Sequence, residues 1–357
     1  MFQPNFQITA KTAQSLMDIE VSRQAVSSLP VTAQLLTSLR ESARLNSTHY
    51  STQIEGNRLT EAEVAVVAKG GTIPNRKRDE AEVKNYFLAL DYLDQLIADS
   101  SLQLTTESVM TIHGCVLHGK EKPTPYRDGQ NAIYESGSRN LIYMPPEWRD
   151  VPQLMEELLS WVNEQLTMGE LPAPVIAGIA HYQFATIHPY YDGNGRTARL
   201  LTNLILHLSG YGLKGIYSLE EYYARNLQGY YQAISVGESH NYYESRRSEA
   251  DISQWVEYFC QGMADSFASV RGQAEKLKSR PDQSMLLREL DPRQKRILAA
   301  FRESRFLSTK EIADHLGVSP STALNLGNSW SASGFLQKSG QGKSRRYELA
   351  PQWTELL

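Results

Sequence analysis

The chain has 357 residues, of which 41% are hydrophobic and 21% charged, and its formal net charge is −4. These values are ordinary for a soluble globular protein of two or three domains, and the negative charge argues against general electrostatic capture of nucleic acid. Cys115 and Cys260 are far apart and fit a reducing cytoplasm, which excludes a disulfide scaffold and a cysteine-based zinc site. Met1–Ala10 has no basic start followed by an apolar run, which disfavours a secretory signal, and no apolar run reaches the roughly 18 residues of a membrane span. The sequence therefore predicts a cytoplasmic protein without membrane contact.

Apolar residues at helical spacing dominate from Val31 to about Lys278 and predict a mainly α-helical fold. A first helix is predicted from near Val31 to Gly56, because glycine readily takes the left-handed conformation that ends helices. The same spacing recurs over Val83–Leu93 and Leu154–Val162.

Between these helices, Pro123–Pro152 is rich in Gly, Pro, Asn and Tyr. Its centre, Ala132–Met144, places Gly137–Asn140 between two short β-prone runs, which predicts a β-hairpin. An exposed hairpin in a helical protein favours a functional role, because loops carry function, and a simple connector is the alternative.

A hydrophobic helix is predicted over Val175–Ile187, and it stops before Pro189 because the residue before a proline is biased away from helix. After the following loop another helix runs to Gly210 or Gly212. Further helical segments are predicted over Tyr222–Val236 and Ile252–Leu277.

The composition changes after Lys276–Ser284, a charged and polar stretch that predicts a linker. Beyond it, Thr309–Leu316 and Ser321–Ser331 are typical of helix, tight turn and helix. Phe335–Lys338 and Arg346–Leu349 are typical of two strands. This pattern predicts a small C-terminal winged helix-turn-helix domain.

The segment His188–Arg199 concentrates residues that suit phosphate chemistry. Gly193-Asn194-Gly195 opens a helix, where backbone N–H groups and the positive helix N-terminus can converge on an anion. Arg196 and Arg199 are three residues apart on the first turns, and guanidinium groups offer bidentate contacts to phosphate. The segment therefore predicts a site for a phosphate chain.

Two further side chains could take part in catalysis at this site. Asp192, an acid beside a phosphate site, is suited to hold Mg²⁺ that bridges phosphate oxygens. His188 could accept a proton from an attacking hydroxyl near neutral pH. Each of these features alone is a weak indication of a catalytic site, and the prediction depends on their combination.

Three other interpretations of this segment are weaker. Gly193–Ala198 also fits a Gly-x-Gly-x-x-Ala dinucleotide fingerprint, but that fingerprint requires a preceding buried strand, and here a helix and a proline precede it. His181 and His188 could ligate a metal, but no Glu or Cys lies at ligand spacing. A structural helix cap with surface arginines is the third.

The run His-Pro-Tyr-Tyr-Asp-Gly-Asn-Gly-Arg-Thr-Ala-Arg, from His188 to Arg199, resembles the motif of Fic-domain proteins, His-x-Phe-x-Asp/Glu-Gly-Asn-Gly-Arg-x-x-Arg. Tyr190 departs from the motif by adding a hydroxyl at an aromatic packing position. The resemblance extends over about Val31–Leu277 and implies a Fic-type helical bundle with the hairpin as its flap. The resemblance implies an N-terminal helical region with an inhibitory motif at 1–100 and a Fic catalytic core at 101–277. The C-terminal pattern of helix, turn, helix and two strands places the winged helix at 285–357.

The resemblance implies a protein adenylyltransferase, which transfers AMP from ATP to Ser, Thr or Tyr hydroxyls of a target protein. His188 would deprotonate the hydroxyl, Asp192 would bind Mg²⁺ and Arg199 would meet the γ-phosphate. The target would dock on the hairpin near Gly137–Tyr143 by adding a strand to it. The residues implied at the ATP site are Glu55, Gly193, Asn194, Gly195, Arg196, Thr197, Ala198, Arg199, Asn226, Tyr230 and Tyr231.

Ser51-Thr52-Gln53-Ile54-Glu55-Gly56 resembles the family's inhibitory motif, Ser/Thr-x-x-x-Glu-Gly/Asn, whose positions here are Ser51, Glu55 and Gly56. Glu55 is an acid near a helix end where the dipole favours cations, so a guanidinium partner explains it better than a solvated surface position. The resemblance implies that this partner is Arg199 and that inhibition is intramolecular.

Downstream, Asn226, Tyr230 and Tyr231 resemble the family's adenine pocket. An amide can contact the edge of the base and an aromatic ring can stack on its face. Ordinary helix packing is the alternative for both tyrosines. The resemblance also favours a homodimer.

Other functions stay open at this stage. The same site could remove AMP or use another nucleotide or phosphodiester donor, although the intact Gly-Asn-Gly-Arg disfavours the phosphotransferase branch of the family. A non-enzymatic scaffold would need a degenerate motif, and nothing in His188–Arg199 is degenerate.

A DNA-binding regulator acting through the C-terminal domain is a further alternative. Its presumed second helix, Ser321–Ser331, has no Arg or Lys, so we expect only weak contact with nucleic acid, or contact with protein. Retention on duplex DNA at low salt would test this. The basic residues of the presumed wing are Lys338, Lys343, Arg345 and Arg346.

Overall fold

The computed structural model describes residues 2–28, 33–99, 103–134, 140–236, 241–244, 249–278, 289–301, 304–340 and 345–354. The chain divides into two compact units, Met1–Gln273 and Ala274–Leu357. Helices dominate, which confirms the predicted fold class. The predicted domain bounds stay predictions. Residues 276–278 of the predicted linker complete a helix, and its remainder lies outside the described residues.

In the first unit, most of the described residues belong to helices. These are α1 (Ala10–Ser27), α2 (Ala33–Ile54), α3 (Glu61–Ala68), α4 (Lys77–Ala98), α5 (Thr106–His118), α6 (Val151–Met168), α7 (Ala173–Ile187), α8 (Asn194–Leu208), α9 (Glu220–Arg225), α10 (Leu227–Ile234) and α11 (Ser253–Lys278), with a 3₁₀ turn at Leu213–Gly215. The last residues of α11 continue past Gln273, the end of this unit. Across the described parts of both units, none of the helices has the length and apolar character needed to cross a membrane.

The helices that carry the predicted site begin and end close to their predicted bounds. α2 ends at Ile54, and Gly56 follows it with a φ of 91°. α7 begins at Ala173, two residues earlier than predicted, and ends at Ile187 as predicted. The sequence did not indicate α1, because its polar and apolar residues are scarcely separated onto opposite faces.

The segment predicted as helical over Tyr222–Val236 is broken into α9 and α10. The break lies at Asn226, whose φ is −141°. The Asn226 side-chain oxygen accepts a hydrogen bond from the Gly229 backbone N–H over 3.0 Å. Asparagine favours this position because it satisfies one of the free N–H groups of a helix start.

The core of the first unit includes a close crossing of α7 and α11. A Cβ added to Gly178 would lie 2.8 Å from the Phe259 ring, so this crossing requires glycine. Trp255 Nε1 donates to the Gly178 carbonyl over 2.7 Å. Burying a side chain as large as Phe259 stabilises a fold by about 1.5–3 kcal/mol. These contacts anchor α7, whose C-terminal end leads into the predicted site.

The predicted hairpin is present as β1 (Ile133–Tyr134) and β2 (Leu141–Tyr143), which pair antiparallel. Its predicted tip, with Gly137, lies outside the described residues. The Tyr143 hydroxyl donates to the Thr186 carbonyl over 2.9 Å. This bond fastens β2 to the last turn of α7, beside the loop that follows it.

The second unit contains α12 (Pro292–Ala300), β3 (Leu307–Ser308), α13 (Thr309–Leu316), α14 (Pro320–Ala332), β4 (Leu336–Ser339), β5 (Arg346–Leu349) and α15 (Pro351–Thr354). Its strands form an antiparallel sheet in the order β3-β5-β4. The predicted helix, turn and helix and the two predicted strands are present, and β3 is an addition. The winged-helix assignment and the DNA contact stay predictions. Lys343 lies outside the described residues.

Candidate active site

The loop from His188 to Gly193 joins α7 to α8 in an unusual backbone conformation. His188 ends α7 with a φ of 50°, and Gly193 precedes α8 with a φ of 77°. The left-handed region suits glycine but is unfavourable for a residue with a Cβ, so the surroundings must hold His188 there. Arg127 supplies two of these contacts. Its Nε donates to the His188 carbonyl over 3.0 Å, and its backbone N donates to the Pro189 carbonyl over 2.9 Å.

Arg127 is buried and also binds the base of the hairpin. Its Nη1 donates to the Gly129 carbonyl over 3.0 Å, and its Nη2 donates to the Pro146 carbonyl. One guanidinium therefore joins the loop to the hairpin region. Arg127 could not be identified from the sequence, because it lies 61 positions before His188 and belongs to no motif.

The interior of the loop is held by side-chain contacts. The Asn194 amide accepts from the Tyr190 N–H over 3.0 Å and donates to the Tyr190 carbonyl over 2.8 Å. The Tyr190 ring is 2% exposed and stacks on His113, with ring centroids 3.5 Å apart. His113 Nε2 lies 2.9 Å from the Asp192 carbonyl oxygen and must donate to it. His113, on α5, is a second contact that the sequence did not reveal.

His188 is kept uncharged by its surroundings. Burial lowers the pKa of His188 to about 4, and the charge of Arg127 acts in the same direction. A hydrogen bond to the Ala185 carbonyl only partly opposes this effect. At neutral pH the imidazole is therefore neutral and can accept a proton, as general-base catalysis requires.

We expect the free protein to keep His188 neutral well below pH 6.5, the usual value for histidine. The measurement is an NMR titration of the imidazole resonances, with His188→Ala used to assign the His188 signal. The signal should move only as the pH approaches about 4. A midpoint for His188 near 6.5 would contradict the buried, neutral assignment.

The start of α8 brings the residues predicted to bind phosphate together with two carboxylates. A Cβ at Gly195 would meet Glu55 Oε1, so a side chain at this position would displace the Glu55 carboxylate. Arg196 is 5% exposed, and its Nη1 lies 2.6 Å from Glu82 Oε1. Its Nη2 lies 3.2 Å from Asp192 Oδ1. Arg196 is thus a buried, oriented cation at the start of the helix.

Arg199 is the most enclosed charge of the segment, with only 2% of the residue exposed. Its Nε donates to the Ser51 hydroxyl over 2.8 Å and its Nη2 donates to the Ser51 carbonyl over 2.8 Å. The same Nη2 lies 2.9 Å from Glu55 Oε1. Burial alone would lower the pKa of Arg199, but the charges of Glu55, Tyr230 and Tyr86 and the hydrogen bond to Glu55 together outweigh it, and the pKa is raised. The structure therefore places Glu55 against Arg199.

Comparison with known proteins agrees with this geometry. Residues 103–206 match the model of the Fic/DOC family. The chain contains a Fic domain. It is 28% identical over 214 residues to the protein adenylyltransferase Fic of Drosophila willistoni, an alignment that covers 58% of this chain and 42% of that protein. A protein adenylyltransferase of Caenorhabditis briggsae is 28% identical over 215 residues, covering 58% of this chain and 40% of that protein.

Solved structures share the Fic fold. A Fic family protein from Desulfovibrio desulfuricans superposes with a TM-score of 0.69 at 22% identity, covering 98% of this chain and 99% of that one. Fic-1 from C. elegans superposes with a TM-score of 0.60 at 23% identity, covering 76% of this chain and 75% of that one. The chain spans about two fifths of the length of the curated relatives that it matches.

Both arginines of the Fic motif are connected to the residues that follow α2. Glu55 contacts Arg199 directly. Two residues later, the Asn57 amide donates to Glu82 Oε2 over 2.9 Å, and Glu82 in turn pairs with Arg196. Glu82 lies on α4, and because it is far from the motif in sequence, no spacing pattern indicated it.

The predicted adenine residues lie in different environments. Tyr230 is 4% exposed and has no open ring face, whereas Tyr231 is 47% exposed. The Tyr231 hydroxyl donates to the Ile54 carbonyl over 3.4 Å, which places its ring beside the end of α2. Asn226 is exposed at the start of α10. Thr197 and Ala198 are fully buried on α8, so neither side chain faces an open site.

Proposed function

We propose that the Fic domain of this protein transfers AMP from ATP to hydroxyl side chains of target proteins. One observation carries the proposal: neutral His188, the start of α8 and the buried Arg196 and Arg199 occur together in one short segment. Relatives that are named protein adenylyltransferases match this part of the chain. We extend that activity to the Ser, Thr or Tyr side chains of proteins.

In the proposed reaction, His188 accepts the proton of the target hydroxyl. The hydroxyl oxygen attacks the α-phosphorus of ATP, and a new oxygen–phosphorus bond forms. The bond between the α-phosphorus and the bridging oxygen breaks, and pyrophosphate leaves with the electron pair. Arg196 and Arg199 stabilise the negative charge on the phosphates, and the loop backbone N–H groups add to this effect. Positioning and electrostatics are the main requirements of such a transfer.

Asp192 is the residue that would hold Mg²⁺. Its side chain is 63% exposed, and Oδ1 accepts hydrogen bonds from the Gly193 N–H and Arg196. The second oxygen faces no such donor within the described residues and suits a metal ion. Within the described residues, no group of three or more His, Cys, Asp or Glu side chains is arranged to hold a metal ion. Mg²⁺ needs only one or two carboxylates when phosphates and waters complete its coordination shell. When bound, Mg²⁺ would neutralise phosphate charge.

Glu55 is proposed as an intramolecular inhibitor. Its carboxylate occupies Arg199, the guanidinium that we assign to the γ-phosphate. A phosphate and Glu55 would compete for the same cation, so ATP binding in a productive position requires Glu55 to move. Ser51 and Gly56 support this arrangement, Ser51 as an acceptor for Arg199 and Gly56 as the left-handed turn after α2.

The hairpin is proposed as the docking site of the target. Tyr134 and Ile142 are exposed on it, at 56% and 42%, which suits contact with a partner chain that adds a strand. Arg127 contacts both the His188 loop and the segment that follows the hairpin. The hydroxyl of a target docked on the hairpin would therefore lie near His188, the proposed general base. A homodimer is a further proposal that rests on the family resemblance alone.

AMP transfer can be tested by comparing ATP that is radioactive at the α-phosphate with ATP that is radioactive at the γ-phosphate. We expect Glu55→Gly protein, incubated with a cell lysate and Mg²⁺, to label proteins from ATP that is radioactive at the α-phosphate. ATP radioactive at the γ-phosphate should give no label, because pyrophosphate leaves. Label from the γ-phosphate would indicate phosphoryl transfer instead. No label from either would point to another donor or to AMP removal, and would overturn the proposal.

A further inference from the structure

His181 lies on α7 in a buried position that the proposed reaction does not use. The residue is 1% exposed. Its Nδ1 lies 3.1 Å from Thr202 Oγ1, and its Nε2 lies 3.0 Å from the Tyr230 hydroxyl oxygen. Both ring nitrogens therefore have hydrogen-bond partners. A side chain that only fills space in the core would not need them.

The charge state of His181 follows from its surroundings. Burial lowers the pKa of His181 to about 3, and the charge of Arg199 acts in the same direction. The imidazole is therefore neutral at physiological pH, with one nitrogen donating and the other accepting.

The partners of Thr202 decide which nitrogen carries the proton. The Thr202 hydroxyl donates its only proton to the Ala198 carbonyl over 2.8 Å. Its oxygen can then only accept from His181, so Nδ1 carries the proton. Nε2 consequently has the lone pair, and the Tyr230 hydroxyl must donate to it. The direction of the whole chain of hydrogen bonds is thereby fixed.

The oxygen of Tyr230 is left with lone pairs and has Arg199 as its cationic neighbour. Burial raises the pKa of Tyr230 to about 12, and the charge of Arg199 opposes that rise. Arg199 Nη1 is buried and has no hydrogen-bond partner within the described residues. The Arg199 guanidinium therefore pairs with Glu55 and also interacts with the Tyr230 hydroxyl, whose pKa its charge and hydrogen bonding lower.

We propose that His181 is a positioning residue for Arg199. By accepting the Tyr230 proton, it turns the hydroxyl lone pairs toward the guanidinium and holds Arg199 in the orientation that binds a third phosphate. The consequence is a preference for a nucleoside triphosphate over a diphosphate. The inference rests on the proposed function, which assigns Arg199 to the γ-phosphate.

The test compares the affinities for ATP and ADP, both with Mg²⁺, by calorimetry on the full chain. All variants are made in the Glu55→Gly background, so that Arg199 is free to bind phosphate. Tyr230→Phe and His181→Phe should each lower the preference for ATP over ADP about three- to tenfold, the value of one hydrogen bond. The affinity for ADP should stay unchanged. The double variant should lose no more than either single one.

Two controls separate positioning from general stability. His181→Gln should restore part of the ATP preference, because its amide oxygen can accept the Tyr230 proton. Tyr223→Phe removes the hydroxyl of a neighbouring buried tyrosine, with ring centroids 4.8 Å from Tyr230, and should change nothing. The Tyr223 hydroxyl has no hydrogen-bond partner within the described residues.

If Tyr230→Phe leaves the ratio of ATP affinity to ADP affinity unchanged, or lowers both affinities equally, the inference is wrong and the proposed function still stands. Tyr230→Phe keeps the ring in place, so the test holds even where His181→Phe fails to fold. If the Glu55→Gly parent itself shows no preference for ATP over ADP, the assignment of Arg199 to the γ-phosphate fails, and this inference fails with it.

Discussion

Replacing Glu55 by glycine should raise AMP transfer by at least about tenfold, because the change frees Arg199 for the γ-phosphate. Glu55 Oε1 lies 2.9 Å from Arg199 Nη2, and the Arg199 side chain is only 1% exposed. Breaking a buried, hydrogen-bonded charge pair commonly involves about 2–5 kcal/mol, and about 1.4 kcal/mol corresponds to a factor of ten. ATP no longer has to displace Glu55 from Arg199 in this variant. A fraction of that energy is enough to account for a tenfold rise in the transfer rate.

The measurement is the initial rate of protein labelling from ATP that is radioactive at the α-phosphate, together with the ATP affinity of each variant. Glu55→Gln is the matched variant, because it keeps the side-chain shape and an accepting oxygen but removes the charge. Its rate should lie between those of wild type and Glu55→Gly. Glu61→Gln, which changes an acid at the start of α3, should behave like wild type. Equal rates and equal ATP affinities for wild type and Glu55→Gly would contradict the inhibitory role.

The local parts of this site could be predicted from the sequence, since they depend on neighbours in the chain. Pro189 ends a helix at Ile187, and Gly193 takes the left-handed conformation before α8. Each of these follows from what one residue allows its backbone to do. The same holds for Gly56 after α2.

The contacts that hold the loop could not be predicted, because they join residues far apart in the chain. Arg127, His113 and Glu82 reach the motif from other elements, and spacing along the sequence carries no information about such encounters. Even adjacent residues can differ. Tyr230 and Tyr231 are neighbours on α10, but successive helical positions point about 100° apart, so one is buried and the other is exposed.

Replacing His188 by alanine in the Glu55→Gly background should lower the rate of AMP transfer by about 100- to 10 000-fold, the usual contribution of a general base. The residue is placed for this role by the left-handed turn at the end of α7 and by the contact of its carbonyl with Arg127. Because burial lowers its pKa to about 4, it accepts a proton throughout the neutral range. The rate should therefore fall only as the pH drops toward that value, since a protonated imidazole cannot act as a base.

The measurement is kcat and KM for ATP with Glu55→Gly and with Glu55→Gly/His188→Ala. The loss should appear in kcat, while the affinity for ATP should stay nearly the same, because the phosphates are assigned to the loop backbone, Arg196 and Arg199. His118→Ala removes an exposed histidine at the end of α5 and should leave both values unchanged. A kcat that survives His188→Ala would show that another group takes the proton. A loss confined to KM would instead place His188 in nucleotide binding.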